Sequence, residues 1–347
     1  MLQSLSHTYK RYRSLQTHVI TALPVAILMP HSACNCRCVM CDIWKGNNRL
    51  KQLSENDISG ILHTLKQLGT RHVLMSGGEA LMHPLFFSFC ALLKNAGIKI
   101  SLHSTGLLLG KHARDIVQWT DDVIISLDGD EHIHNSIRNV PAGFQKMRAG
   151  IQTIKEIEPG FKISARTVIH KSNFRIWPAL VKTAKDLGLS SISFLPADVT
   201  SHAFNREQSW GEAKQHEIVP AVNELDEFKT VLENLVVSHA EDFSNGFIAE
   251  SPAKLYKIYE HYAAFYQLAL PPFKKCNAPW VSVVVEADGA VRPCFFHAAY
   301  GNIHDAALED IINSEKAVAF RKQLDTSSNI TCVNCVCYLH LKPGIKP

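Results

Sequence analysis

Between residues 20 and 200 the chain alternates short apolar, β-branched runs with amphipathic stretches, and few folds accommodate that pattern. VAILMPH (25–31), RHVLMSGG (71–78), KISLHST (99–105), DVIISLDG (122–129), FKISARTVIH (161–170) and SISFLPAD (191–198) read as strands. SENDISGILHTLKQLG (54–69), HPLFFSFCALLKNAG (83–97), LLLGKHARDIVQW (107–119) and WPALVKTAKDLG (177–188) read as helices, with Ser54 as N-cap of the first and Gly69 just past its end. Another helix is expected before Glu158. That makes about six βα units at roughly 30-residue spacing. Strands apolar along their length, separated by helices, imply a parallel sheet covered on both faces or rolled into a barrel. Functional side chains of such sheets gather at the C-terminal strand ends. Here a cysteine cluster, SGGE, HSTG and SLDG follow successive strands, so all four are expected at one mouth.

The rest of the chain divides differently. Residues 1–23 form a helical extension whose MLQSLSHTYKRYR is read as a solvated helix rather than a nucleic-acid arm, because no longer basic run supports it. The strand pattern covers 24–200. Residues 201–272 read as a helical linker, in which Tyr256, Tyr259, Tyr262 and Tyr266 form a packing stripe. Pro271-Pro272 ends it. Residues 273–347 read as a small cysteine-rich domain with a hairpin turning at Asp288-Gly289, then a helix over 306–324. No stretch reaches the roughly 18 apolar residues of a membrane span, and HVITALPVAILM is broken by Pro24. Neither a membrane nor a nucleic-acid partner is expected, and the location is expected to be cytoplasmic.

Ten cysteines in 347 residues, clustered and with no secretory signal, read as metal ligands before disulfides. Cys90, in FFSFCALL, is the exception and reads as core. HSACNCRCVMCDIW packs four cysteines into eight positions. Cys34, Cys38 and Cys41 fit C-x3-C-x2-C. Three soft thiolates suit an iron–sulfur cluster with one open iron. A zinc loop using all four cysteines and a parse through Cys36 that drops Cys34 are the alternatives.

CNCRCVMC after strand 1, SGGEALMHP after strand 2 and ISLDGDEHIHNSIR at strand 4 together resemble the radical S-adenosylmethionine (SAM) enzymes. The resemblance runs from about residue 24 to 340. It implies a partial (β/α)6 TIM-type barrel and a [4Fe–4S] cluster held by Cys34, Cys38 and Cys41, with SAM on the open iron. It further implies that Gly77 and Gly78 let backbone approach the SAM methionine, that Glu79 takes its ammonium, and that Ser126 and Arg138 reach its ribose or carboxylate. Ser104-Thr105 match the family's Thr-Asn-Gly only in part. Met40 stands where relatives commonly carry an aromatic residue.

CNAPWVSVVVEADGAVRPC, a helix and CVNC resemble the auxiliary-cluster extensions called SPASM and twitch domains. The resemblance implies one auxiliary [4Fe–4S] cluster on Cys276, Cys294, Cys332 and Cys335. A C4 zinc knuckle is the alternative. Cys337 is left as a substitute ligand, a spare or a hydrogen-atom donor. Only 33 residues precede Cys34, which leaves no room there for the peptide-binding domain of many relatives. The pattern of one auxiliary cluster is similar to that of a radical SAM dehydrogenase of aminocyclitol antibiotic biosynthesis. The expected activity is therefore oxidation of a small polar metabolite, with an electron donor such as flavodoxin or ferredoxin. Peptide or protein side-chain modification, by cross-link, thioether or epimerisation, is the second reading. A non-catalytic iron–sulfur or zinc-binding protein is a third. Arg166, Asp198 and Arg206 are candidate substrate contacts.

Overall fold

The computed structural model describes residues 5–206 and 208–345. One sheet organises it, in the order β6-β5-β4-β3-β2-β1-β7-β8-β9. The six expected strands appear as β1 (Val25–Leu28), β2 (His72–Met75), β3 (Lys99–Ser104), β4 (Asp122–Ser126), β5 (Lys162–Ile169) and β6 (Ser191–Pro196). All neighbours among them are parallel, as the intervening helices require. The sheet stays open, which makes it a partial TIM-type barrel. β7 (Ser282–Val285) then pairs parallel with β1, and β8 (Ala290–Arg292) and β9 (Gly301–Asn302) follow antiparallel. The hairpin turns at Asp288-Gly289, where Gly289 has φ +81°. The C-terminal segment thus extends the same sheet.

Strand residues alternate in environment along β1, β2, β4 and β5, while β3, β6 and β7 carry consecutive buried residues. Leu28, Val73, Met75, Leu102, Val123, Ile125, Ile163 and Ile169 are fully buried in one core with Ile58, Leu65, Phe89, Ile116, Ile154 and Trp177 from the helices. Burial of such side chains contributes about 1.5–3 kcal/mol each. The other face of the sheet is polar. Ser126, Arg166 and Ser193 stand in register across β4, β5 and β6, and Arg166 Nε donates to Ser193 Oγ at 3.3 Å. His72 and Ser101 meet at 2.8 Å on the same face. His103 lies there too, its pKa lowered to about 3 by burial and by Arg166.

Local signals set most helix ends. Ser54 caps Glu55–Gln67 through a capping box with Asp57. Three readings need correction. Residues 107–112 form turns, and the helix begins at Ala113. Leu109 is buried hard against Gly150, where a Cβ would lie 2.6 Å from Leu109 Cβ, so packing overrides the helical period there. The 306–324 helix splits into Leu308–Ile312 and Glu315–Gln323, because the Asn313 side chain bonds both backbone groups of Ile20 and Ser314 caps the second piece. The N-terminal helix Leu5–Thr17 is not solvated all round. Arg11 is buried and donates to the carbonyls of Leu341 and Lys342 at 3.0 and 2.6 Å. Among the described residues, no helix is long and apolar enough to cross a membrane.

Candidate metal centres

The loop after β1 carries the first cysteines, and each expected ligand is pinned by a residue outside the motif. Asn47 clamps Cys34 from both sides, accepting from its N–H at 3.0 Å and donating to its carbonyl at 2.8 Å. Trp44 Nε1 donates to the Cys41 carbonyl at 2.9 Å. Around Cys38 the backbone pairs with the end of the Glu131–Arg138 helix, through Arg37 N to Arg138 O and Val39 N to Ile137 O. Cys34 and Cys41 are partly exposed, whereas Cys38 and Cys36 are buried. The pKa of Cys36 is raised by its bonds to Cys34 and Cys38 and by burial. Cys38 is pulled down to about 6 by the Cys36 thiol and, against burial, by Arg138. Burial and the Cys38 charge push Cys41 up to about 12.

Arg138 sits behind this loop. Its Nη1 lies 3.5 Å from Cys38 Sγ and its Nη2 lies 2.5 Å from Asp128, which is wholly buried. Asp128 and Cys38, outweighing burial, hold the guanidinium above its ordinary pKa. Both terminal nitrogens therefore address the cluster loop and the SLDG turn. Ser126 is half-buried on the polar face of the sheet, opposite Arg166.

SGGE clasps the same loop. Glu79 N donates to Ala33 O at 2.8 Å, and a Cβ on Gly78 would lie 2.1 Å from that oxygen. Gly77 adopts φ +119°, a conformation that favours glycine. The two glycines thus let the β2 loop touch the cluster loop. Glu79 is fully buried and already well supplied with donors: Thr105 N and Oγ1 at 2.7 and 2.6 Å, Ser104 Oγ at 3.1 Å and Leu81 N at 3.2 Å. Its carboxylate ties the ends of β2 and β3 together more directly than it serves as an open acceptor. Thr105 Oγ1 also meets Asn35 Oδ1 at 2.9 Å, while Asn35 Nδ2 is buried without a partner. Three soft thiols on one clamped loop and an orphaned donor beside them fit a cluster with a polar cosubstrate.

The second group gathers round one small cavity. Cys276, Cys294, Cys332, Cys335 and Cys337 line one small cavity with Lys274, Phe296 and His297. Cys276 precedes the turn into β7, Cys294 follows β8, and Cys332 lies on the short helix Ile330–Val333. Burial pushes Cys294 up to about 11 and Cys332 up to about 12. Lys274 Nζ donates to Val333 O at 2.6 Å, and His297 Nε2 lies 3.3 Å from Cys332 Sγ. Four or more thiols converging from three segments fit a fully ligated cluster. Sequence reasoning missed His297. Its only signal is its place three residues after Cys294.

The Radical SAM superfamily model matches residues 28–194, and the SPASM model, an iron–sulfur cluster-binding domain, matches residues 276–336. The chain carries a radical SAM domain and, C-terminal to it, a SPASM domain. These domains imply SAM, a SAM-binding [4Fe–4S] cluster and an auxiliary [4Fe–4S] cluster. Fe-coproporphyrin III synthase of Methanosarcina barkeri is 23% identical over 302 residues, covering 83% of this chain and 73% of its own length. The subtilosin biosynthesis protein AlbA of Bacillus subtilis is 22% identical over 290 residues, covering 81% of this chain and 57% of its own length. Other curated relatives are matched over about half their length. The crystal structure of Streptococcus suis SuiB bound to S-adenosylmethionine aligns with a TM-score of 0.65 at 14% identity, covering 94% of this chain and 75% of that one.

Between the two cysteine groups of this radical SAM fold lies a cleft of about 1080 Å³. Met29, His31 and Gly78 line it from the first group, and Arg292, Phe296 and His297 from the second. Phe204 projects into it and meets Phe295 and Phe296 at ring-centre distances of 6.3 and 6.1 Å. Two other candidate substrate contacts are already committed to each other. Asp198 and Arg206 form a buried ion pair at 2.7 Å, and Arg206 stacks on Trp210 at 3.9 Å.

Proposed function

We propose that Cys34, Cys38 and Cys41 hold the SAM-binding cluster, that Cys276, Cys294, Cys332 and Cys335 hold the auxiliary cluster, and that the enzyme oxidises a polar substrate bound in the cleft between them. When bound, the first cluster and SAM supply a 5′-deoxyadenosyl radical that takes a hydrogen atom from the substrate, and the auxiliary cluster accepts an electron. The chain's own work is positioning. Asn47, Trp44 and the Arg138 segment fix the three-cysteine loop. Gly77 and Gly78 bring the β2 loop against it and leave backbone facing the cleft. Ser126 is assigned a polar contact to the SAM ribose or carboxylate. Arg138 acts mainly on Cys38, and Glu79 mainly on Thr105 and Ser104. A flavodoxin- or ferredoxin-like donor supplies the reducing electron. The observation that carries this reading is a cleft lined by neighbours of both cysteine groups, His31, Ser32 and Gly78 beside the first and Phe295, Phe296 and His297 beside the second.

Reconstituted, chemically reduced protein incubated with SAM tests it. Formation of 5′-deoxyadenosine and methionine is expected. Their absence from protein loaded with about eight irons per chain would contradict it.

The cleft favours a second reading of the substrate. Its volume of about 1080 Å³ stands at the upper end of ligand pockets, roughly 300–1,000 Å³, and leaves room for more than a small metabolite. Its lining is charged but balanced, with Lys45 and Lys51 paired to Asp42 and Asp288. A larger polar substrate, a peptide segment or a macrocycle, fits these features. The names of the two curated relatives point the same way, to a bacteriocin and to a coproporphyrin.

A further inference from the structure

We infer that His297 is a positioning residue of the auxiliary centre: it forms the wall between the substrate cleft and the second cysteine group, and donates Nε2–H to the Cys332 sulfur, raising the reduction potential of the cluster held there. The inference rests on the proposed auxiliary cluster and deepens it.

Two independent features single the residue out. His297 and Phe296 line both the large cleft and the small cysteine cavity, so they separate the two spaces. His297 alone of the pair carries a polar atom, and that atom lies 3.3 Å from Cys332 Sγ. The side chain is held in place. Its ring packs edge-on against Phe320 at 5.0 Å, and its carbonyl accepts from Arg292 Nη1 at 3.1 Å. A metal-bound Cys332 thiolate is only an acceptor, so Nε2 carries the hydrogen of this contact.

The physical consequence has a definite sign. A donor to a cluster sulfur stabilises the more negative, reduced form, so it raises the potential. An auxiliary cluster that must accept an electron from a substrate in the adjoining cleft needs that shift. Lys274 also lines the cavity.

The test is an EPR-monitored redox titration of the reconstituted holoenzyme, following the cluster signal that added SAM leaves unperturbed. In His297→Phe, the ratio of reduced to oxidised auxiliary cluster at a fixed potential is expected to fall about tenfold, or about 59 mV for a one-electron couple. His297→Gln, which retains an N–H donor, is expected to recover most of the loss. An unchanged potential in His297→Phe at full iron loading would overturn the inference. So would equal loss of about four irons from both variants, because a ligand rather than a donor would then have been removed. Failure of wild-type protein to form 5′-deoxyadenosine is a separate outcome. It would overturn the proposed reaction at the first site while leaving the auxiliary potential measurable.

Discussion

The two cysteine groups reach similar donor sets by opposite routes. The first lies on one short loop, 34–41, and depends on distant partners to hold its shape: Asn47, Trp44, Arg138 and the Gly77-Gly78 turn. The second is assembled from segments at 276, 294 and 332–337, and lines its own cavity. Their electrostatics also differ. Cys38 faces a buried guanidinium balanced by Asp128, whereas Cys332 faces an imidazole. A site that must admit a cosubstrate leaves one position without a protein ligand and takes its rigidity from the surroundings. A site that only exchanges electrons can be closed by its ligands.

Substitutions at the first group should break this contrast most sharply. Cys34→Ser should lower iron from about eight to about four per chain and abolish SAM cleavage. Cys36→Ser should keep both, since Cys34, Cys38 and Cys41 supply the three proposed ligands. The opposite pair of outcomes would replace Cys34 by Cys36 in the ligand set. Gly78→Ala comes next. Its Cβ would sit 2.1 Å from the Ala33 carbonyl, where only backbone movement relieves the clash. A loss of about 1–3 kcal/mol and at least a hundredfold slower 5′-deoxyadenosine formation are expected, measured by denaturant unfolding and product assay. Asp128→Asn leaves Arg138 buried without its counter-charge. It should cost about 3–5 kcal/mol in the same unfolding measurement. The smallest effect is expected at the second group. Lys274→Met removes a hydrogen bond to Val333 worth about 1 kcal/mol, with iron content unchanged. A larger loss there would mean that the second cavity also relies on outside partners.

The strand-and-helix frame of residues 24–200 was legible because parallel strands buried on one face and helices of period 3.6 write different patterns. Ser54, capped by Asp57, shows the same for a local signal. Residues 107–112 and Asn313 were not legible, because contacts with Gly150 and Ile20 set them. The cysteine spacings and the family resemblance suggested the donor sets proposed for both clusters. What holds those cysteines was hidden. Asn47 and Trp44 follow the motif without belonging to it, and Arg138 comes from a separate helix. His297 resembles any histidine until the fold sets it beside Cys332. Glu79 was legible as part of GGE, but its saturation by Ser104 and Thr105 depends on how the β2 and β3 ends meet.

The central claim is one open cluster and one closed cluster, facing a shared cleft. EPR of the reduced, fully reconstituted protein with and without SAM tests it most directly. The account predicts about eight irons per chain, with SAM changing the signal of one cluster and leaving the other as it was. A protein that binds about four irons, or whose two signals both ignore SAM, would contradict it.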